Sequence, residues 1–169
     1  MSKGSKPTSI DFDVGVDGII PSTQEAFRGG GHDGQVRMTE KEDLIHFRDV
    51  LATDLDRQLS GNTQFPSNRE VFVFIIQYFI AEKEYARRDI DNMAKTVLDV
   101  LKERFYRDDS QVRTLLVGKK KTDHRVTQNF AYVAIKELND DKDIDALKIS
   151  GIERAVTFFQ ESQAKLRSM

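Results

Sequence analysis

The feature that most constrains this chain is the apolar run from Val71 to Ile80, VFVFIIQYFI, interrupted only by Gln77. It is far shorter than the roughly 20 residues a helix needs to cross a bilayer. Its β-branched and aromatic content favours an extended chain. A strand that is apolar at nearly every position is buried on both faces, so it belongs inside a layered domain. The segment that follows supplies one layer. A helix is predicted from Asp89 to Arg104, because Ile90, Met93, Ala94, Val97, Leu98 and Leu101 recur at i, i+3, i+4, i+7, i+8 and i+11, a single apolar stripe.

The remaining pattern fills in around this pair. Ile10, Phe12, Val14 and Val16 alternate with polar residues, which predicts a strand over Ser9–Val16, and Gly18, Pro21 and Ser22 mark a turn. Arg28 to Gly34 is a glycine-rich loop that lacks the spacing of a nucleotide cradle. A helix is predicted over Thr39–Leu59, opened by a Thr39–Glu42 capping box, carrying Leu44, Phe47, Leu51, Leu55 and Leu59 on one face, and stopped at Gly61. Gln111–Val117 and Asn129–Leu138 read as strands joined by a basic connection, Gly118 to Thr127, in a long hairpin. Ile144 to Leu166 is expected to be helical, with a break near Ser150-Gly151. The expected fold is α+β, a single mixed sheet packed with helices. It divides into a disordered N-terminus (1–8), one domain (9–138) and a C-terminal helical extension (139–169).

Composition narrows the chemistry. The chain of 169 residues has no cysteine, which excludes a disulfide framework, a thiolate zinc site and a cysteine nucleophile. No His pair has zinc-hydrolase spacing, and no serine sits in a GxSxG elbow. The lysines near the N-terminus precede no apolar core, so a secretory signal is not expected and the cytoplasm is. Net charge is −2, but the charge is unevenly spread. Arg87 and Arg88 precede one carboxylate cluster, Lys119, Lys120, Lys121, His124 and Arg125 crowd the predicted hairpin tip, and Asp140, Asp141, Asp143 and Asp145 make the C-terminal segment acidic.

The stretch most able to carry chemistry is RRDIDNMAKTVLDVLKERFYRDDSQV, Arg87 to Val112. Asp89 and Asp91 would point about 200° apart on one helix. They converge only if Asp89 precedes the first turn, at the N-cap, with Asp91 inside it. Lys95 then lies one turn beyond Asp91 on the same exposed face. Asp108 and Asp109 open the next strand. If that strand lies beside the one feeding the helix, its beginning could approach the helix start, and three carboxylates would surround one point. An oxygen-only set suits Mg²⁺ or Mn²⁺, ions that activate water and stabilise charge on a phosphodiester. Ordinary readings stand beside this one: Asp89 as a simple cap, Asp91–Lys95 as a surface ion pair, Asp108-Asp109 as a turn.

The run Asp89-Ile90-Asp91-Asn92-x-x-Lys95, with Leu98-Asp99-x-Leu101 and then Asp108-Asp109-x-Gln111-Val112, resembles the RusA family of crossover-junction endodeoxyribonucleases. The similarity is strong over this stretch and looser from residue 8 to about 138; it does not reach 139–169. A glycine that relatives often carry before the second aspartate pair is replaced by the turn Glu103-Arg104-Phe105-Tyr106-Arg107. The resemblance implies a homodimeric enzyme of phage or prophage type that binds four-way (Holliday) junctions in recombination and repair and makes paired nicks with Mg²⁺ or Mn²⁺. It implies that Asp89, Asp91 and Asp109 are catalytic metal ligands, with Asp108 beside them, and that Lys95 is the catalytic lysine. On that reading Arg87, Arg88, Lys119, Lys120, Lys121 and Arg125 would contact DNA phosphates. The alternatives are a catalytically inactive DNA-binding relative and a protein whose C-terminal helix binds a partner.

Overall fold

β2 (Val71–Phe79) lies where its sequence requires, inside the sheet, with β4 (Phe130–Glu137) on one side and β3 (Val112–Lys121) on the other. The structure is a computed structural model that describes residues 10–22 and 34–139, with residues 34–40 as backbone only. β1 (Phe12–Asp17) completes a four-stranded sheet of order β1-β4-β2-β3. β1 and β2 both pair antiparallel with β4, whereas β2 and β3 run parallel. Among the described residues three α-helices accompany the sheet: α1 (Gly34–Leu59), α2 (Glu82–Arg87) and α3 (Ile90–Leu101). The fold is α+β around one mixed sheet, as the sequence implied.

Alternation along β2 divides the core. Val71, Val73, Ile75 and Phe79 join Val133 and Ile135 of β4, Leu51 and Leu55 of α1, and Met93, Val97 and Leu101 of α3 in one large cluster. Phe72 belongs to a smaller cluster with Leu138, Phe74 and Leu116. At roughly 25 cal/mol per Å² of apolar surface, the large cluster dominates the stability, and it is what clamps α3 to the sheet.

The predicted β3–β4 hairpin does not form. The chain leaves β2 through two helices and re-enters the sheet parallel to it, so β3 takes the open edge. The connection then passes the end of β2, where Thr122 N donates to Phe79 O (3.0 Å) and Ile80 N to Asn129 Oδ1 (2.9 Å), and β4 descends on the other side. β2 therefore separates the two expected partners. Lys119, Lys120 and Lys121 accordingly lie within β3 and not at a hairpin tip. α1 begins at Gly34, so the Thr39–Glu42 pair lies inside the helix and does not open it. α2 was not anticipated, although Glu82-Lys83-Glu84 are good helix formers. The N-terminal segment 1–8 lies outside the described residues, as does the C-terminal helix expected within 139–169.

Candidate active site

The β2–α2–α3–β3 crossover presents its chemistry at both ends of α3. At the start, Asp89 is the N-cap residue with extended backbone (φ −88°, ψ 131°), and its carboxylate makes no capping hydrogen bond. An N-cap aspartate ordinarily accepts from the amides of the first turn. Here the side chain is left for another partner. Asn92, which is buried, reaches back with Nδ2 3.5 Å from Asp89 Oδ2 and orients it. The Asn92 backbone carbonyl in turn lies 3.2 Å from Thr96 Oγ1, which is itself 2.8 Å from the carbonyl of Pro21. Asp91 and Lys95 are both exposed on the outer face of α3. Neither is spent in an ion pair with the other among the described residues, so the simple surface-pair reading is not realised.

The exit of α3 is wired differently. The helix stops at Leu101, and Glu103 in the turn that follows takes a left-handed backbone (φ 66°). Tyr106 is fully buried and donates to Leu98 O (3.0 Å); burial raises its phenol above the ordinary range. Then comes the second aspartate pair. Asp108 caps a 3₁₀ turn, Asp109–Gln111, by accepting from Ser110 N at 2.9 Å. The Ser110 hydroxyl and amide, with the Lys102 ammonium, hold its carboxyl below the ordinary aspartate range. Gln111 closes the box: its Oε1 accepts from Arg107 N (2.8 Å) and Asp108 N (3.0 Å), while its Nε2 donates to Ser67 O and Arg69 O, each at 2.9 Å. The D-D-x-Q pattern is thus a folded device. Asp108 and Gln111 build the turn, and the exposed Asp109 carboxylate projects from it, with Lys102 Nζ at 3.3 Å.

One expectation is corrected. β3 does lie beside β2, but in parallel, with Val112 opposite Val71. Its beginning therefore adjoins the beginning of β2, whereas Asp89 follows the end of β2. Asp109 sits near the far end of α3, a helix of 12 residues and hence about 18 Å long. Among the described residues no three His, Asp or Glu side chains gather as a metal site. Within one chain the two carboxylate groups do not meet.

The family model for the RusA endodeoxyribonuclease matches residues 18–129, more than half of the chain and spanning both carboxylate groups. This chain belongs to the RusA endodeoxyribonuclease family. It is accordingly a nuclease of the Holliday-junction type. No curated protein matches the sequence.

For a RusA nuclease the distribution of basic residues matters, and the topology gathers them. The ends of β2 and β3, the whole of α2 and the start of α3 share one edge of the domain, the carboxyl end of a parallel pair, where open α/β sheets bind their ligands. Arg87, Arg88, Lys119, Lys120, Lys121 and Arg125 are all there, on the same edge as Asp89 and Asp91. They are not equivalent. Arg87 is about half exposed and 3.6 Å from Glu84 Oε2, while Arg88 is largely buried against the same carboxylate and borders a cleft of about 600 Å³ with His46, Asp43 and Asn129. Arg125 is exposed and paired with Asp123 (2.8 Å), whose carboxyl it holds far below the ordinary range. Lys120 lies over the Tyr78 ring, and Lys121 pairs with Glu82. Lys119 is turned inward. Among the described residues no helix is long and apolar enough to cross a membrane.

Proposed function

We propose that this RusA-family chain is a divalent-metal-dependent endonuclease that resolves four-way DNA junctions by paired nicks. It works as a homodimer in which each centre combines Asp89 and Asp91 of one subunit with Asp109 of the partner subunit. The observation that carries this reading is the Asp89 carboxylate, oriented by Asn92 but capping no helix amide, beside exposed Asp91 and Lys95, at the opposite end of α3 from Asp109. Two copies related by a two-fold axis across α3 would run their helices antiparallel. That arrangement sets the exit turn of each against the start of the other, and every two-fold contact is repeated. One operation thus supplies both a third carboxylate and a second centre, and a junction with two equivalent strands needs two centres for paired cuts.

The donor set fits the ion. All the candidate ligands are carboxylate oxygens without competing protein partners beyond Asn92 and Lys102, the hard donors that Mg²⁺ and Mn²⁺ prefer. When bound, such an ion activates water and neutralises charge on the phosphate. The chain's own residues do the rest. Asp89, Asp91 and Asp109 hold the ion. Lys95, one turn from Asp91, stabilises negative charge developing on the scissile phosphate. Arg87, Lys120 and Arg125 anchor flanking phosphates without reading sequence. Asp108 keeps to its turn. The setting is recombination or repair in the cytoplasm of a bacterial or phage-infected cell.

The experiment is incubation with a synthetic four-way junction and a matched linear duplex, each with Mg²⁺ and with EDTA. Symmetric nicks in the junction, dependent on Mg²⁺, are expected. Full cutting in EDTA, or equal cutting of the linear duplex, would overturn the reading.

A further inference from the structure

Gln77 and Lys119 face each other on β2 and β3, a polar rung on the helix-covered side of the sheet. Gln77 is completely buried and ties down the turn after β1, accepting from Ile20 N and donating to Gly18 O, both at 2.9 Å. Lys119 does the equivalent for the other flank. Its ammonium donates to the carbonyls of Tyr85 (2.6 Å) and Arg88 (2.9 Å) and sits 4.8 Å from the centre of the Tyr85 ring. These carbonyls end α2, where a helix leaves its last oxygens without partners of its own. The Tyr85 ring is braced in turn by an edge contact with Phe79 of β2. The Arg88 carbonyl shares a planar peptide unit with the Asp89 amide. Holding that oxygen holds the plane from which Asp89 departs.

We propose that Lys119 is a positioning residue of the active centre, fixing the α2–α3 turn so that Asp89 is presented to the metal, and that it is not a phosphate contact. The proposal rests on the reading of Asp89 and Asp91 as the metal-holding pair. A residue that orients a ligand in this way typically changes metal affinity ten- to a hundredfold when removed. Lys120, on the opposite face of β3, lies 5.9 Å from the Tyr78 ring centre and remains the strand's phosphate-facing lysine.

Lys119→Met keeps the aliphatic stem and removes the donors. The Mg²⁺ concentration for half-maximal junction cutting should rise about tenfold. Junction affinity measured in Ca²⁺, and its dependence on salt, should not change. Lys119→Arg, which retains donors, should restore the wild-type Mg²⁺ requirement. Lys120→Met should do the reverse, weakening the junction complex and reducing the salt slope by about one, with the Mg²⁺ requirement unaltered. The proposal is overturned if Lys119→Met weakens junction binding with a shallower salt slope, or leaves the Mg²⁺ requirement unmoved. Asp91→Asn run in parallel separates the two layers. Normal cutting by that variant removes the metal reading itself, whereas an inactive Asp91→Asn beside an unaltered Lys119→Met removes only the positioning role. Should Lys119→Met fail to fold by circular dichroism, the wild-type protein decides. With ¹⁵N-lysine labelling, the Lys119 ammonium signal should stay in place on saturation with junction DNA while that of Lys120 moves; a comparable movement of Lys119 would contradict the proposal.

Discussion

The two ends of α3 carry similar residues and treat them oppositely. At the start, Asp89 stands at a capping position without capping, and Asp91 and Lys95 project from the first two turns with no bond to each other. At the exit, Asp108, Ser110 and Gln111 form a closed hydrogen-bonded turn that reaches across to Ser67 and Arg69, and Asp109 alone escapes it. A polar group that does not cap, at a position where capping is worth about 1 kcal/mol, forgoes that stability. A fully satisfied one retains it. The exit turn is held by Asp108 and Gln111, and the exposed Asp109 carboxylate takes no part in its hydrogen bonds.

That contrast can be broken by substitution. The largest effects belong at the start: Asp91→Asn and Lys95→Ala should each lower junction cutting about a hundred- to a thousandfold, with junction affinity and thermal midpoint near wild type. A large fall in stability instead would make these residues structural and erase the difference between the ends. At the exit the order reverses. Gln111→Ala abandons two backbone carbonyls and two amides, and urea unfolding should show a loss of about 1–3 kcal/mol, whereas Asp109→Asn should leave stability intact. Glu103→Gly relieves a left-handed residue, and a gain of up to about 1 kcal/mol is expected in the same assay. A loss there would mean that the Glu103 side chain, and not its backbone, matters to the turn.

The smallest effect concerns the tie between the exit turn and α1. Arg104 Nε lies 2.8 Å from Asp56 Oδ1, and this hydrogen bond lowers the Asp56 pKa below its ordinary value. Because the folded pKa is the lower one, the pair stabilises the fold above the ordinary carboxylate pKa of about 4. The contribution disappears as pH falls through the depressed value. Asp56 is mostly solvent-exposed, so screening leaves only a few tenths of a kcal/mol. Arg104→Ala should cost that much more at pH 7 than in acid, by comparing urea midpoints, because the bond from Arg104 to Val100 O is lost at either pH.

Much of this was legible in the residues because local pattern decided it. All of the apolar run but its last residue, the exposed Ile80, became the inner strand β2, and the α3 stripe packs Met93, Ala94, Val97 and Leu101 as expected, although Val100 is buried while Ile90 is exposed. Asp89 fell at the N-cap position. What the pattern could not supply was pairing. A strand–connection–strand signal looks the same whether the strands are neighbours or are separated by a third, and here β2 intervenes. The same blindness produced the expectation of three carboxylates meeting at one point, since it was conditional on β3 lying beside β2 and took no account of the parallel direction that separates their ends along α3. The placement of Lys119 at a hairpin tip failed for a related reason. A run of three lysines looks uniform in sequence, yet strand alternation sends Lys119 inward to Tyr85 and Lys120 to the opposite face.

The sharing of each centre between subunits is tested most directly by mixing two dead proteins. Asp91→Asn and Asp109→Asn, co-expressed with different affinity tags and purified through both, give a heterodimer. One centre then carries both lesions and the other carries none. The account predicts recovered Mg²⁺-dependent cutting limited to a single strand per junction. A heterodimer as inactive as either parent would show that each subunit needs its own Asp91 and Asp109 together, and would contradict it.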